Sequence, residues 1–283
     1  MSYLLTGKEV KEIISNPKND VVIVDARFQL HDSDAGKRDY DEGHLPSAIY
    51  FDLEKDLSAV PNEHGGNHPL PAITMLATKL GNAGIDQQTT VIVYDQGNDM
   101  FAPRFWWLLH YLGHDAVYIL EGGYARWVAE GNMVTKEVPV HEPKSFIPSV
   151  RHDEVVHIEQ VKGKLTSDEA ILIDSRSKER YLGKTEPLYK KAGHIPGAKN
   201  YFWMDVLDEE GNWKNKAALE QHFANLDKKS EIIVSCGSGV SACPNVVALK
   251  MAGYTNVKLY PGSFSDWISY EDNRIETEDE TNG

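Results

Sequence analysis

EIIVSCGSGVSACPNVVALKMAGY, residues 231–254, holds both cysteines of the chain, Cys236 and Cys243. It begins with an apolar run, IIV, the register of a strand covered on both faces. It ends in VVALKMAGY, which reads as a helix. Between them lies a loop rich in glycine and serine. A strand without a polar face, followed by a loop and a helix, is the building block of a parallel sheet with helices on both faces. In such sheets ligands bind at loops on the C-terminal ends of strands. Cys236 stands at one of them.

The same layout occurs earlier in the chain. VVIVDARF at 21–28 and YDEGHLPSAIYFDL at 40–53 correspond to AILIDSRS at 170–177 and KAGHIPGAKNYFWM at 191–204. TTVIVYDQG at 89–97 and YILEGGYARW at 118–127 correspond to SEIIVSCGSG at 230–239 and KLYPGSFSDW at 258–267. Trp127 and Trp267 are 140 residues apart, as are Gly122 and Gly262. The chain is a duplication. The expected domains are 1–133 and 151–283, joined by a linker at 134–150 that has three prolines and no periodicity. The acidic tail EDNRIETEDETNG, 271–283, is expected to be mobile.

Composition narrows the function. A chain of 283 residues with 41% hydrophobic residues can bury a core in each half. A formal net charge of −14 argues against nucleic acid or an anionic membrane surface as partner. No apolar run approaches transmembrane length, and the N-terminus lacks a signal-peptide pattern, so the expected compartment is the cytoplasm. Two cysteines seven residues apart make no disulfide framework.

The copies differ where chemistry is concentrated. Asp95 occupies the position of Cys236. A carboxylate cannot usefully attack sulfur, so only the second copy can carry nucleophilic sulfur chemistry. His44 to Asp95 spans 51 residues and His194 to Cys236 only 42. The extra residues fall around SAVPNEHGGNHPLP, 58–71, a Gly/Pro-rich segment long enough to be a functional loop. It holds His64 and His68. Two histidines in a solvated loop have no task on composition alone.

The cysteine loop can be read atom by atom. Gly237 and Gly239 free successive N–H groups to point inward as an anion nest, with Ser238, Val240 and Ser241 completing it. A helix expected to start near Val240 adds its positive end, worth about 0.3–1 kcal/mol to a nearby anion. A free thiol is already a few per cent ionised near neutral pH, so ionisation alone supplies one to two powers of ten. Positioning and leaving-group stabilisation must supply the rest. The sixth residue after Cys236 is Ala242, not the arginine a cysteine phosphatase needs, and a C-x-x-C pair is absent because position 239 is glycine. The loop offers too few ligands for a metal, and neither metal nor cofactor is expected. Cys243, placed about two turns into the helix, reads as a small buried hydrophobe. The stretch RSKERYLGKTEPLYKK, 176–191, carries six Lys or Arg side chains, Arg176 among them, in an otherwise acidic protein. It follows the strand ending at Asp174, a position suited to an anionic substrate.

These residues together resemble the tandem rhodanese-domain sulfurtransferases, over nearly the whole chain. The loop CGSGVSAC is similar to that of the 3-mercaptopyruvate branch; the thiosulfate branch has Arg and Lys where this chain has Gly237 and Ser238. The resemblance implies two rhodanese-like α/β domains and a ping-pong reaction. Cys236 takes sulfur from 3-mercaptopyruvate, releases pyruvate and holds a persulfide until a thiol acceptor or cyanide removes it. It implies Ser238 and His68 as further catalytic residues, with the first domain lending its histidine to the second, and Glu54 as the carboxylate behind that histidine. It implies Arg180 and Lys190 as holders of the substrate carboxylate, although lysine lacks the bidentate fork. The implied partners are a small anionic sulfur donor and a small thiol or thioredoxin-like acceptor. The alternatives are a thiosulfate sulfurtransferase and a non-catalytic, sulfur-carrying binding module. The retained Cys–Gly–Ser–Gly loop weighs against the module.

Overall fold

The apolar runs do form strands, and their connections bring the ends of β-strands and the starts of helices together in two compact units. The computed structural model describes residues 2–167 and 169–277. The chain changes unit after Ala59, Pro69, Arg151, Asp208 and Trp213, so residues 60–69 belong to the second unit and Glu209–Trp213 to the first.

The first unit runs β1 (Leu4–Leu5), α1 (Gly7–Ser15), β2 (Val21–Asp25), α2 (Ala35–Glu42), β3 (Ala48–Tyr50), α3 (Ile73–Asn82), β4 (Thr90–Tyr94), α4 (Phe101–Tyr111), β5 (Val117–Leu120) and α5 (Gly123–Ala129). Its five-stranded sheet has the order β1-β5-β4-β2-β3, every pairing parallel. The central strands β2 and β4 are buried from their second residue onward, which is why their sequences show no alternation. Thr6 and Glu9 close a capping box at the start of α1.

The second unit runs α6 (Ile158–Thr166), β6 (Ala170–Asp174), α7 (Lys178–Tyr181), β7 (Lys199–Asn200), α8 (Lys216–His222), β8 (Glu231–Ser235), α9 (Cys243–Met251), β9 (Val257–Leu259) and α10 (Ser263–Trp267). Its sheet, β7-β6-β8-β9, is again wholly parallel. Where the first unit places β1 beside β5, the described residues of the second show a parallel bridge between Val155 and Leu259.

Each copy contains the same clamp. Asp25 and Asp174 end their strands and pair with Arg27 and Arg176, both contacts 2.6 Å and buried. Each arginine also donates to the carbonyl before the Gly-His histidine, Gly43 or Gly193, at 2.7 Å. His44 and His194 stack on Tyr40 and Tyr181 and hydrogen-bond their carbonyls. The repeated GH turn is therefore structural. This also corrects the reading of Arg176 as an entrance cation: it is fully buried and paired.

Two segments are more ordered than their composition suggests. The linker is hydrogen-bonded along the first unit, through Lys144 N to Gly81 O and Ser149 N to Leu112 O, each 2.9 Å. The tail is fastened as far as it is described. Glu276 exchanges backbone hydrogen bonds with His194, and Arg274 O accepts from the Trp267 indole. The rest of the tail, 278–283, lies outside the described residues.

Candidate active site

Cys236 directly follows β8 and is buried. Its loop is held by backbone to the start of α10: Phe264 N donates to Cys236 O at 3.0 Å and Ser265 N to Gly237 O at 2.9 Å. Cys236 N donates to Ser263 Oγ at 3.0 Å, and that hydroxyl donates to Tyr260 O at 2.8 Å. Both loop glycines lie close to neighbouring atoms, and the backbone requires glycine at 239. Gly239 has φ +78°, and a Cβ there would lie 2.4 Å from Pro261 O. A Cβ on Gly237 would lie 2.6 Å from the Tyr189 hydroxyl.

The nest has formed, with one change. Gly239 N–H points at Cys236 Sγ, 3.1 Å away. The helix, however, starts at Cys243 rather than Val240, with Val240–Ala242 forming a turn before it. The sulfur is thus held by the loop's own N–H and not by the first turn of α9. Val240 is buried and Ser241 half-buried behind the loop. Cys243 opens α9 instead of lying two turns inside it, and it is buried with Sγ 3.4 Å from Gly239 O.

His68 Nδ1 and Ser238 Oγ lie 2.7 Å apart, although 170 residues separate them. Residues 60–69 are pinned to α10 and the turn after it. Gly65 N donates to Asp266 Oδ1 at 2.7 Å and Asn67 N to Ser265 Oγ at 3.1 Å. Asp266 Oδ2 accepts from the Tyr260 hydroxyl at 2.7 Å. His64 is not idle: it bonds Ser269 Oγ at 2.8 Å and stacks on Tyr270 at 4.0 Å.

Arg180, on α7, is gripped by Glu186 through Nε and Nη2 at 2.8–3.1 Å. The same buried carboxylate accepts from Arg176 Nη1 at 3.1 Å. Burial alone would lower the proton affinity of Arg176, but Asp174, Glu186 and the Cys236 sulfur hold it above its ordinary value. Lys190 is exposed. Glu54 is an exposed residue of the first unit whose N–H donates to Asp52 Oδ1 at 2.9 Å.

Sequence reasoning missed Glu186 and Tyr189. Tyr189 has its hydroxyl against the cysteine loop, at the place a Cβ on Gly237 would approach. Burial pushes its phenol up to about 12, the neighbouring Cys236 sulfur adding to the rise and Arg180 and Ser238 moderating it. Nothing in the spacing of TEPLYKK marks either side chain. Among the described residues no cluster of three metal-ligating side chains occurs.

A buried cysteine at the end of a parallel strand, in a backbone-lined loop with a hydroxyl and an imidazole beside it, defines a thiol-centred enzyme site. The rhodanese-like domain model matches residues 6–130 and 157–270, and the chain belongs to that family. It is 39% identical to a probable 3-mercaptopyruvate sulfurtransferase of Pseudomonas aeruginosa over 274 residues, 95% of each chain. It is 34% identical to a thiosulfate sulfurtransferase of Cricetulus griseus, covering 87% of this chain and 84% of the relative. The crystal structure of SseA from Escherichia coli, described as a 3-mercaptopyruvate sulfotransferase, superposes with a TM-score of 0.81 at 31% identity, covering 94% of this chain and all of the other. Sulfur transfer is the reaction class of this protein.

Proposed function

We propose that the protein moves sulfur from 3-mercaptopyruvate through a persulfide on Cys236 to a thiol acceptor, or to cyanide. The observation that carries the reading is the 2.7 Å contact between His68 and Ser238, two residues after the buried cysteine. The Cys236 thiolate attacks the donor's sulfur. The carbon–sulfur bond breaks, and its electron pair stays on carbon as the enolate of pyruvate. The donor's thiol proton passes through Ser238 to His68 and then to that carbon, completing pyruvate. An acceptor thiolate then takes the outer sulfur and regenerates Cys236. No external oxidant or reductant is needed. Such acid–base help is worth about 10²–10⁴-fold.

In this reading Arg180 holds the donor carboxylate, its fork set by Glu186, and Lys190 contributes charge at longer range. Gly237, Gly239, Val240 and Ser241 shape the loop around the sulfur. Glu54 is the candidate carboxylate behind His68, carried by the family resemblance alone. Residues 1–133 and 151–283 are taken as the two domains. A thioredoxin-like protein or small thiol is the proposed acceptor and the cytoplasm the proposed compartment; no helix among the described residues is long and apolar enough to cross a membrane. Thiosulfate is the less favoured donor, because the loop offers Gly237 and Ser238 where a small dianion calls for cations.

Intact mass tests the reading. With mercaptopyruvate and no acceptor, the protein should gain one sulfur, located on Cys236, and Cys236→Ser should gain none and turn over nothing. Sulfur found on Cys243 would overturn the assignment.

A further inference from the structure

The arginine clamp occurs in both copies, but its third nitrogen is used in only one. In the second unit Arg176 donates from Nε and Nη2 to Asp174, from Nη2 to Gly193 O, and from Nη1 to the Glu186 carboxylate at 3.1 Å. In the first unit Arg27 repeats all but the last. Nε and Nη2 donate to Asp25, and Nη2 to Gly43 O at 2.7 Å. Its guanidinium lies 4.0 Å from the Tyr124 ring centre, as that of Arg176 does from Phe264. Among the described residues, Arg27 Nη1 has no hydrogen-bond partner. The side chain is only 3% exposed, yet Nη1 is not sealed from solvent. It opens on a cavity of about 570 Å³, which Arg27 lines together with Phe28, Asp39, Glu42, Asp99 and Tyr124. An almost buried N–H group without an acceptor is costly. The second copy shows what satisfies it: a carboxylate.

The charge beside that nitrogen is inverted between the copies. Tyr40 and Tyr181 are counterparts, each stacked on the histidine of its Gly-His turn. Asp39, on α2, therefore stands where α7 has Arg180. In the second unit the Glu186 carboxylate sits between two cations, Arg176 and Arg180. In the first unit the same cavity offers a cation, Arg27, and a carboxylate, Asp39, with Glu42 and Asp99 adding further negative charge. A simple anion would meet three carboxylates there, and a simple cation would leave Arg27 Nη1 unpaired. We propose that this cavity binds a free α-amino acid as its zwitterion: the ligand's carboxylate accepts from Arg27 Nη1, its ammonium donates to Asp39, and its side chain lies towards Phe28 and Tyr124. A peptide terminus carries only one of the two charges and does not satisfy both groups. The volume lies within the range of small-molecule pockets, about 300–1,000 Å³. The site is independent of the sulfur reaction proposed above and involves no covalent step.

L-Alanine, propanoate and ethylamine make a matched set of probes, carrying both charges, the carboxylate alone and the ammonium alone. Their binding to the full chain should be measured by isothermal titration calorimetry for the wild type, Asp39→Asn and Arg180→Ala. Alanine should bind the wild type saturably and at least about 10-fold more tightly than either of the other two, since each lacks one charge-assisted contact. Asp39→Asn keeps the shape of a half-buried side chain and removes its charge. It should weaken alanine by about 10-fold or more without weakening propanoate, and its melting temperature should change little, as for a surface substitution. Arg180→Ala should bind alanine as the wild type does. Absence of saturable alanine binding would overturn the inference, as would equal binding of the three probes. Alanine binding that survives Asp39→Asn intact would do the same. Loss in Arg180→Ala with retention in Asp39→Asn would place the amino acid in the donor pocket of the second unit and equally overturn it. The comparison of the three probes on the wild type stands even if a variant fails to fold.

Discussion

Ser263 has φ +52°, a conformation that costs a side-chain-bearing residue about 1–3 kcal/mol. Its counterpart in the first copy, Gly123, has φ +55° and no such cost. The side chain is retained where the cysteine is, and its hydroxyl is what receives Cys236 N–H. Ser263→Gly exchanges strain relief for one lost hydrogen bond, about 1 kcal/mol. The melting temperature should therefore move little while kcat falls at least ~3-fold, since small misplacements of a reacting group are expensive. An unchanged kcat would make the strain unrelated to function. Glu186 lends itself to a harsher test. Glu186→Gln leaves Arg180 without its ion pair and Arg176 with Asp174 alone, inside a buried network. Removing one partner of such a network costs about 3–5 kcal/mol. Denaturant unfolding should show that loss, and KM for mercaptopyruvate should rise as Arg180 loses its orientation. Cys236 stood out in the sequence because it ends an apolar run and is followed by Gly237 and Gly239. Glu186 and Tyr189 did not, because a fold-back of the chain that leaves no periodic trace brings them to Arg180 and to the cysteine loop.

At the scale of elements, the loop 60–69 shows what a sequence can and cannot announce. Its glycines, prolines and extra length marked it as a candidate functional loop, and the family resemblance singled out His68. That His64 is an anchor could not be read, because its partners Ser269 and Tyr270 lie some 200 residues away in sequence. The residues that fasten the loop are also ones in which the copies differ: Ser265 and Asp266 stand where the first copy has Ala125 and Arg126. Gly66 is the tightest point. It has φ +84°, and a Cβ would sit 2.5 Å from Gly262 O. Gly66→Ala should therefore lift the loop and carry His68 away from Ser238. The expected result is a kcat loss of about 100-fold with mercaptopyruvate, within the range assigned to the histidine itself. Cys236 alkylation should persist, since the cysteine loop is fixed by other bonds. His64→Ala, at an exposed position, should cost less than Gly66→Ala. Equal activity of Gly66→Ala and the wild type would detach the loop from catalysis.

For the whole chain, duplication made the fold readable, since each weak pattern occurred twice. The pieces that escaped were those too short for periodicity, such as the two-residue strand β1, and those ordered by contacts with segments distant in sequence, such as the linker and the first part of the tail. Duplication also explains Asp95. The loop that presents Gly239 N–H to a sulfur in the second unit presents N–H groups to a carboxylate in the first: Asp99 N donates to Oδ1 at 3.1 Å and Ala102 N to Oδ2 at 3.0 Å. The old nest is filled by its own side chain. Burial, with the Asp99 carboxyl adding to it, nevertheless pushes Asp95 up to about 7. An aspartate in the unfolded chain titrates near ~3.9. A folded-state value above the unfolded one means that the associated stability is fully present below about pH 4 and is lost as pH rises through about 7. Asp95→Asn is neutral throughout. The difference in melting temperature, variant minus wild type, should therefore grow more positive between pH 5 and 8, whatever the cost of the amide at pH 5. Persulfide formation at Cys236 should be unaffected at either pH. A difference that stays flat across this window would mean that Asp95 is ionised at pH 5 and that the N–H groups of the nest outweigh its burial.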